Sequence, residues 1–440
     1  MKKVLAKFGF VLCAAACVFT AACAGNGGKS TLLGKPSDFK PLTSQENSDE
    51  GLNSLRKKAN SFSSEFTAAA YNGYKNGENF AVSPVSVFSA LSLAAECAAG
   101  ETRTEILSAL GVSYQDLQND FSKLFRSLNE EFTISGRGGK EQLEGKIQLT
   151  NSIWLDEAAS AKQQCIDALS KDYFCYSYAA NFQSANAEAN KAVSEFVKEK
   201  TNGLIDNDFH ISSQTLFTLI NTLYLKDVWN EGGKDLGFTD GKHVFTEADG
   251  TVKNINLLSG HYFSGRAYDG GNFTSFYTET ENRFCLKFIL PKDGFALADV
   301  FTAENIAKVN SVTDYNAIDY ENKIKYMTRC LFPEYGAGYD NDISPLLKDM
   351  GIKALFDKNK CDFSNLSDDK LACSQVRHVT NLQVDKKGIE GAAVTVIQMD
   401  GMPAPEFEEV YLDFAVDKAF GFIINDGDGV QLFSGAVNKV

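Results

Sequence analysis

The chain has 440 residues, of which 44% are hydrophobic and 23% are charged, a composition typical of a globular protein. This composition excludes a disordered, collagen-like or disulfide-stapled chain, and a chain of this length can bury a large core without covalent cross-links. The formal net charge is −14 and no basic block occurs beyond the first few residues, so a nucleic-acid-binding surface is not expected.

The first residues have the pattern of an export signal. Lysines near the start precede an apolar stretch over residues 8–22, which is short for a membrane span. Small residues then lead to Cys23, as in the lipobox of a bacterial lipoprotein, although Thr20 stands where a large aliphatic residue is usual. We predict a signal peptide over 1–22, lipidation of Cys23 and a flexible tether over 23–50. The protein would then be exported and lipid-anchored to the bacterial cell membrane or cell surface, and an ordinary cleaved signal is the alternative.

The remaining residues give no sign of a metal site, a disulfide framework or an active site. The seven cysteines beyond Cys23 are odd in number and widely spaced, without a Cys-x-x-Cys pair. None of the four histidines has a metal-ligand spacing, and no Gly-x-Ser-x-Gly motif occurs. We therefore expect no metal, no cofactor and no enzyme activity.

Helical patterns dominate the first half of the chain. Apolar residues recur at helical spacing over 52–70, and Ser83-Pro84 is typical of a helix start. Thr102 and Glu105 have the spacing of a capping box, and Gly111 is typical of a helix end. Further helical patterns lie near 116–130, 161–172 and 186–200, and two more lie in the second half of the chain, near 302–309 and 343–350.

Strand-like segments dominate the second half, at 217–225, 284–290, 376–384 and 420–424. Because helices and strands do not alternate regularly, the pattern predicts an α+β fold rather than a doubly wound sheet. No repeat and no change of composition divides residues 51–440, which we predict to form one domain.

Several segments, taken in order, resemble the serpin family of protease inhibitors. The similarity covers nearly all of residues 51–440. It is carried by residues 79–86 (NFAVSPVS), 100–106 (GETRTEI), 221–229 (NTLYLKDVW), 331–335 (LFPEY), 347–352 (LKDMGI), 375–378 (QVRH), 414–422 (FAVDKAFGF) and 432–437 (LFSGAV). Each segment is weak alone, but their order and spacing together are specific.

The resemblance implies a serpin fold with three β-sheets, about nine helices and an exposed reactive loop at about 386–413. It also implies a suicide-substrate inhibitor of serine proteases, in which the cleaved loop inserts into the main sheet as a new strand and traps the acyl-enzyme. The expected partners are a target protease, held in a covalent complex, and the membrane through Cys23. The protein is expected to be a monomer.

The loop sequence supports the same interpretation. Residues 386–413 contain no convincing core pattern, and so long a connection in a compact domain is usually functional. By resemblance the hinge consists of Gly388, Ile389, Glu390, Gly391, Ala392 and Ala393. Ile389 stands where Thr or Ser is usual, and Lys386 where Glu is common. Since Ile is apolar and β-prone, we expect insertion to survive the change.

The family spacing from the hinge places the reactive site at Met402–Pro403. Most serine proteases do not accept proline after the cleaved bond, and counting back from Phe414 gives about Pro405 instead. The window therefore also includes Met399, Asp400, Gly401, Ala404, Pro405 and Glu406. Small or unbranched apolar residues in this part of the loop suit elastase-like or subtilisin-like proteases. No Arg or Lys follows Lys387 in the loop, which excludes a trypsin-like pocket.

The resemblance also implies structural roles for His378, Asn221 and Trp229. His378 is expected near the end of the main sheet where insertion begins, with a hydrogen bond that holds the sheet closed.

Two alternatives to serine-protease inhibition stay open. One is a cysteine-protease inhibitor that uses the same loop. The other is a non-inhibitory serpin acting as a binding protein, which Ile389 and the prolines at 403 and 405 favour.

Overall fold

The structure is a computed structural model that describes residues 30–74, 77–135, 141–229, 235–313, 315–373, 375–390 and 407–440, apart from the side chains of residues 134–135 and 141–144. The predicted signal peptide and Cys23 lie outside these residues. Within them, no helix is long and apolar enough to cross a membrane, and no group of three or more His, Cys, Asp or Glu side chains could hold a metal ion.

Ten α-helices occur in the described residues, and a 3-10 turn follows the last of them at Ala354–Phe356. The helices are α1 Ser44–Asn47, α2 Glu50–Gly73, α3 Pro84–Cys97, α4 Gly100–Leu110, α5 Tyr114–Ser127, α6 Gln163–Asp172, α7 Asn186–Lys200, α8 Leu297–Val300, α9 Ala303–Ser311 and α10 Ser344–Asp349. The helix predicted at 186–200 coincides with α7, and the other predicted helices agree within a few residues.

The predicted capping box of α4 is wrong. The helix begins before Thr102, which is buried inside it and whose hydroxyl accepts a hydrogen bond from the backbone N–H of Asp362 at 3.0 Å. The Glu105 carboxylate accepts from the backbone N–H groups of Lys353 and Ala354, at 2.7 and 2.6 Å. Both side chains therefore fix the chain that follows α10 instead of capping their own helix.

The strands form three sheets, which confirms the mixed α+β serpin fold implied by the resemblance. They are β1 Ser30–Gly34, β2 Phe80–Val82, β3 Asn129–Ser135, β4 Glu141–Asp156, β5 Cys175–Ala180, β6 Phe217–Val228, β7 His243–Thr246, β8 Val252–Ile255, β9 Leu258–Ser264, β10 Tyr268–Asp269, β11 Phe273–Glu279, β12 Cys285–Pro291, β13 Ile318–Asp319, β14 Ile324–Phe332, β15 Tyr335–Asp342, β16 Arg377–Asp385, β17 Gly388–Ile389, β18 Glu408–Ala415, β19 Phe420–Asn425 and β20 Gln431–Val437.

The largest sheet consists of two parts. The main sheet has the strand order β1-β5-β4-β6-β17-β16-β15, and β3 pairs with β4 beside this path. A single parallel bridge between Gly338 and Phe80 connects it to the second part, β2-β20-β19-β12-β11-β10. Strands β9, β13, β14 and β18 form a four-stranded sheet, and β7 and β8 form a hairpin. The two faces of the main sheet are covered by different helices: α3 packs against β6 on one face, and α7 covers Trp154 and Ile220 on the other.

The segment predicted as a flexible tether is instead packed on the domain from residue 30 onward. Strand β1 pairs antiparallel with β5 at the edge of the main sheet. The ring of Phe39 lies 5.6 Å from that of Phe125 and 5.0 Å from that of Phe174. The guanidinium of Arg126 then pairs with Glu46 at 2.8 Å. We call residues 30–49 the strap, because they run from the sheet edge across α5 to the start of α2.

The reactive loop is also shorter than predicted. On its N-terminal side, Gly388–Ile389 is a buried strand within the main sheet, and on its C-terminal side β18 begins at Glu408. In β18 only Phe414 is fully buried, so the strand carries little of the hydrophobic pattern that would mark it in the sequence. The connection between the two strands is thus confined to residues 390–407.

Candidate functional site at the gap in the main sheet

The main sheet has a gap between β6 and β16. These two strands run in the same direction, because each pairs antiparallel with β17. In that short strand Ile389 lies opposite Val384 on one side and Asp227 on the other. Among the described residues, no other backbone pairing joins β6 to β16. The gap therefore offers space for a further strand, and the hinge occupies its first two positions.

Gly388 enters this gap at very close range. A β-carbon at this position would overlap the carbonyl oxygen of Asp227 and crowd the α-carbon of Val228. The turn before the glycine is held by Asp385, whose carboxylate accepts hydrogen bonds from the backbone N–H groups of Lys387 and Gly388 at 2.7 and 3.3 Å. Only glycine fits at position 388, because the two backbones approach each other too closely to leave room for a β-carbon.

Ile389 is completely buried in the hydrophobic core. Burial of an isoleucine side chain contributes roughly 2 kcal/mol. Ile389, which stands where Thr or Ser is usual in the family, therefore stabilises Gly388–Ile389 in its position inside the main sheet.

Glu390 is the last described residue of the hinge. Its backbone has a positive φ of +53°, and its N–H donates to the carbonyl oxygen of Gln383 at 3.1 Å. One carboxylate oxygen accepts a hydrogen bond from the Tyr224 hydroxyl at 3.1 Å, and the other is buried without a partner. Burial raises the pKa of this carboxyl group, and Tyr224 and Lys226 offset part of the effect. Glu390 therefore combines a strained backbone with one buried carboxylate oxygen that has no hydrogen bond.

Trp229 lies at the same end of the gap as the hinge. Its indole N–H donates to the carbonyl oxygen of Asp385 at 2.7 Å, and its ring is fully buried against Phe332. Lys386 is anchored nearby, because its backbone N–H donates to Glu334 at 2.9 Å and its ammonium group pairs with Asp235 at 3.2 Å. These contacts fix the turn that delivers the hinge to the gap.

His378 lies at the opposite end of β16, so its predicted position is wrong. The strand begins at Arg377, and the hinge follows its last residue, Asp385. At about 3.3 Å per residue, His378 is more than 20 Å from the point where insertion begins. The predicted hydrogen bond is present, but its partner is a helix: the Nε2 atom accepts from the backbone N–H of Ser83 at 3.1 Å. Burial lowers the pKa of the imidazole to about 4, so the ring is neutral.

A row of serines, which begins with Ser83 just before α3 and continues along the helix, connects the strands on both sides of the gap. Ser83, Ser86 and Ser89 are one helical turn apart and therefore lie on the same face. While the Ser83 N–H binds His378 on β16, the Ser86 hydroxyl donates to the side-chain oxygen of Asn221 on β6. The Ser89 hydroxyl donates to the side-chain oxygen of Asn151 on β4 at 2.8 Å, and Asn221 also donates to Asn151.

Sequence reasoning missed this network, although its signal is readable. Residues 83–97 are otherwise largely apolar, and serines at every third position give them a polar stripe. The structure thus brings Asn221 and His378 to one helix and Trp229 and the hinge to the other end of the gap. The hinge residues Gly391, Ala392 and Ala393 lie outside the described residues. The same is true of Met402, Pro403 and the whole reactive-site window, which remain predictions.

The family model described as "Serpin (serine protease inhibitor)" matches residues 57–440. The chain belongs to the serpin family. It is 28% identical over 384 residues to Serpin-Z10 of Arabidopsis thaliana, covering 82% of this chain and 92% of that protein. It is 25% identical over 375 residues to alpha-1-antiproteinase S of Cavia porcellus, covering 82% and 85%. These relatives come from a plant and an animal, so they give no support to the bacterial lipoprotein prediction.

Solved serpin structures have the same fold. The thermophilic serpin tengpin in its native state matches with a TM-score of 0.67 and 22% identity, covering 92% of this chain and 97% of that one. The complex of thyroxine-binding globulin with thyroxine matches with a TM-score of 0.69 and 20% identity, covering 88% and 99%. Family membership supports protease inhibition in general, but the fold is shared with thyroxine-binding globulin and does not by itself decide between inhibition and binding.

Proposed function

We propose that this serpin is a suicide-substrate inhibitor of serine proteases of the elastase or subtilisin type, without turnover of its own. The observation that carries the proposal is the pairing of Gly388–Ile389 with both β6 and β16, while no other pairing joins these strands in the described chain. The hinge already stands at the mouth of a gap that can receive the rest of the loop.

The register of the hinge strand predicts where the inserted loop would lie. Ile389 faces Val384 and Asp227. Continued in the same register, the residue six positions later, Thr395, would face the residues six positions earlier on each strand, His378 and Asn221. The loop would therefore run the length of the gap and end over the serine row of α3.

The energy of this insertion is sufficient for trapping. A strand of this length would form on the order of 10–15 ladder hydrogen bonds with its two neighbours, each contributing about 0.5–1.5 kcal/mol net. The total is on the order of 10 kcal/mol, comparable to the whole stability of an ordinary domain. An acyl-enzyme attached to the end of the loop would be displaced and deformed by this movement.

The proposal is tested by incubation with pancreatic elastase, subtilisin and papain. We expect a complex with one of the two serine proteases that survives boiling in detergent, and mass spectrometry of the released peptide fixes the cleaved bond within 399–406. Ile389→Arg places a charge in the buried hinge position and should convert the inhibitor into a substrate, while Ile389→Thr serves as its matched control. Cleavage of the wild-type loop without a complex would contradict inhibition, and a complex with papain alone would favour the cysteine-protease alternative.

A non-inhibitory binding role predicts a different result for the cleaved protein. Insertion of the loop should raise the melting temperature of the cleaved form well above that of the intact form. An unchanged melting temperature after cleavage would mean that the loop does not enter the gap, and would favour the binding protein.

We further propose export and lipid anchoring at Cys23, supported by the lysine-rich start, the apolar stretch and the small residues before Cys23. Expression of the full chain in bacteria with labelled palmitate should label the wild-type protein, which should partition with membranes. Cys23→Ser should lose both properties, whereas Cys17→Ser, within the signal, should keep them. Label that persists in Cys23→Ser would contradict the assignment.

A further inference from the structure

Two neighbouring cavities lie along the second half of α2. The larger, of about 670 Å³, lies between the end of α2, β15 and α10, and the smaller, of about 500 Å³, lies between α2 and α4. Ala69 lines both cavities, and the consecutive residues Asp349 and Met350 line one each. We call the two cavities together the α2 groove. Asn341 in its wall pairs with His378, so the groove lies at the end of the main sheet that is remote from the hinge.

The α2 groove is lined by four carboxylates and by no basic side chain. Glu65 and Glu105 line the smaller cavity, and Asp342 and Asp349 line the larger one. Within the described residues, the carboxylates of Glu65 and Asp349 form no ion pair or hydrogen bond, and that of Asp342 accepts only from the backbone N–H of Ser344, at 2.9 Å. The groove therefore offers unpaired negative charge to a cation.

The spacing of the carboxylates suits an elongated organic cation and not a metal ion. Across the described part of the chain, no three His, Cys, Asp or Glu side chains are close enough together to hold a metal. Tyr74 follows Glu65 by nine positions, which at the rise of a helix is a distance of about 14 Å. Between these ends Ala69, Ala70 and Leu346 give the walls an apolar surface. Charged groups in the groove are thus separated by stretches that suit methylene groups.

A buried tyrosine adds a polar group that lacks a partner. Tyr339 on β15 lines the larger cavity and is only 9% exposed, and its hydroxyl has no hydrogen bond to any described residue. Burial raises the pKa of Tyr339, and the neighbouring Tyr74 and Asp342 add to this effect. The rings of Tyr339 and Tyr74 lie 5.6 Å apart at an angle of 44°. A ligand ammonium group placed here would meet a carboxylate, a free hydroxyl and two aromatic rings.

We propose that the α2 groove binds a linear polyamine. One terminal ammonium group lies beside Asp342 and the two tyrosines, and further ammonium groups pair with Asp349 and Glu65. The methylene segments between them cover the alanines of α2. Both cavity volumes are within the range of roughly 300–1,000 Å³ that is usual for small-molecule sites. Because the groove is remote from the hinge, this binding does not depend on the proposed protease inhibition.

The test is isothermal titration calorimetry of the full chain with spermine at physiological ionic strength, which screens weak attraction to the surface charge. We expect saturable binding with one-to-one stoichiometry. Glu65→Gln and Asp349→Asn should each weaken the affinity by roughly fivefold, since each removes one ion pair. Tyr339→Phe keeps the buried ring, removes the hydroxyl and should weaken the affinity about threefold. Glu188→Gln removes an exposed carboxylate of α7, outside the groove, and should bind as wild type does.

Equal affinities in Glu65→Gln, Asp349→Asn and Glu188→Gln would assign the binding to the overall negative charge and overturn the site. The absence of saturable binding to the wild type would also overturn it. Maltotriose serves as a neutral second probe, and binding of maltotriose without binding of spermine would assign the groove to a sugar instead. Glu65 and Asp349 are exposed on different helices, so misfolding of one variant, detected by its melting temperature, leaves the other as the test.

Discussion

Gly388 passes so close to Asp227 that a β-carbon on the glycine would collide with the carbonyl oxygen of the aspartate. We therefore predict that Gly388→Ala expels the hinge dipeptide from the main sheet. Expulsion also removes Ile389 from the core, so the loss of stability should be roughly 2–3 kcal/mol, and cleavage should yield more substrate-like product than complex. Urea unfolding and the ratio of complex to cleaved inhibitor measure the two effects.

Gly351→Ala is the matched control for this substitution. Gly351 has a positive φ of +99°, but an added β-carbon would meet no atom within 4 Å. Gly351→Ala should lower the free energy of unfolding only by the cost of a left-handed backbone, about 1 kcal/mol. It should leave the ratio of complex to cleaved inhibitor unchanged. Equal effects of the two substitutions on the product ratio would mean that the close approach at Asp227 is not what positions the hinge.

The hinge illustrates what the sequence could and could not predict. Its position was identified from the family pattern, and its small residues are readable as a loop that can insert. The burial of Gly388–Ile389 was not predictable, since a two-residue strand has no periodicity and its partners, Asp227 and Val384, are fixed only by the sheet.

The strap and His378 also differ from what the sequence predicted, and the two differences have separate causes. The strap has the polar composition of a linker, but long-range contacts such as Arg126 with Glu46 hold it on the domain, and composition does not report such contacts. The position of His378 could have been inferred, because the strand predicted over 376–384 separates it from the hinge and places the two at opposite ends of that strand.

The register across the gap predicts a role for Thr395 in the cleaved protein. If Thr395 faces His378 and Asn221 after insertion, its hydroxyl can form a hydrogen bond there that the isosteric Val cannot. Thr395→Val should lower the stability of the cleaved form by about 1–2 kcal/mol and leave the intact form unchanged, and Thr395→Ser should behave as wild type. Melting temperatures of intact and elastase-cleaved protein provide the measurement, and equal losses in both forms would contradict the extended register.

The neutral His378 makes stability depend on pH. Its pKa is about 4 in the fold and about 6.5 in the unfolded chain, since burial disfavours the charged ring. Its contribution is fully present above pH 6.5 and is lost as the pH falls toward 4, because the unfolded chain then binds a proton that the folded chain does not. The loss amounts to on the order of 3 kcal/mol.

His378→Gln keeps an acceptor for the Ser83 N–H but cannot bind the proton. We expect the variant to be less stable than wild type at pH 7.5, and the difference to shrink or reverse at pH 4.5. Urea unfolding at several pH values measures this change, with the exposed His210→Gln as control. A difference between wild type and His378→Gln that stays constant with pH would show that the ring does not titrate in this way.

The strap depends on Arg126, which joins it to α5 through several groups at once. The guanidinium pairs with both carboxylate oxygens of Glu46, at 2.8 and 3.2 Å, and donates to the carbonyl oxygens of Lys40 and Pro41 at 2.8 and 3.2 Å. The hydrogen bonds from Arg126, with those from Thr43, lower the pKa of Glu46 to about 2, so the pair persists well into the acidic range.

We predict that Arg126→Ala releases the strap while the domain stays folded. The backbone amides of β1 and of its partner β5 should exchange with solvent at least tenfold faster in hydrogen-exchange mass spectrometry, because the ladder at the sheet edge loses its anchor. Arg126→Lys keeps the charge but not the forked geometry, and should give an intermediate rate. Phe39→Ala, which removes the ring that packs edge-on against Phe125 and Phe174, should act in the same direction as Arg126→Ala. Wild-type exchange of β1 in both alanine variants would mean that the β1–β5 ladder alone holds the strap in place.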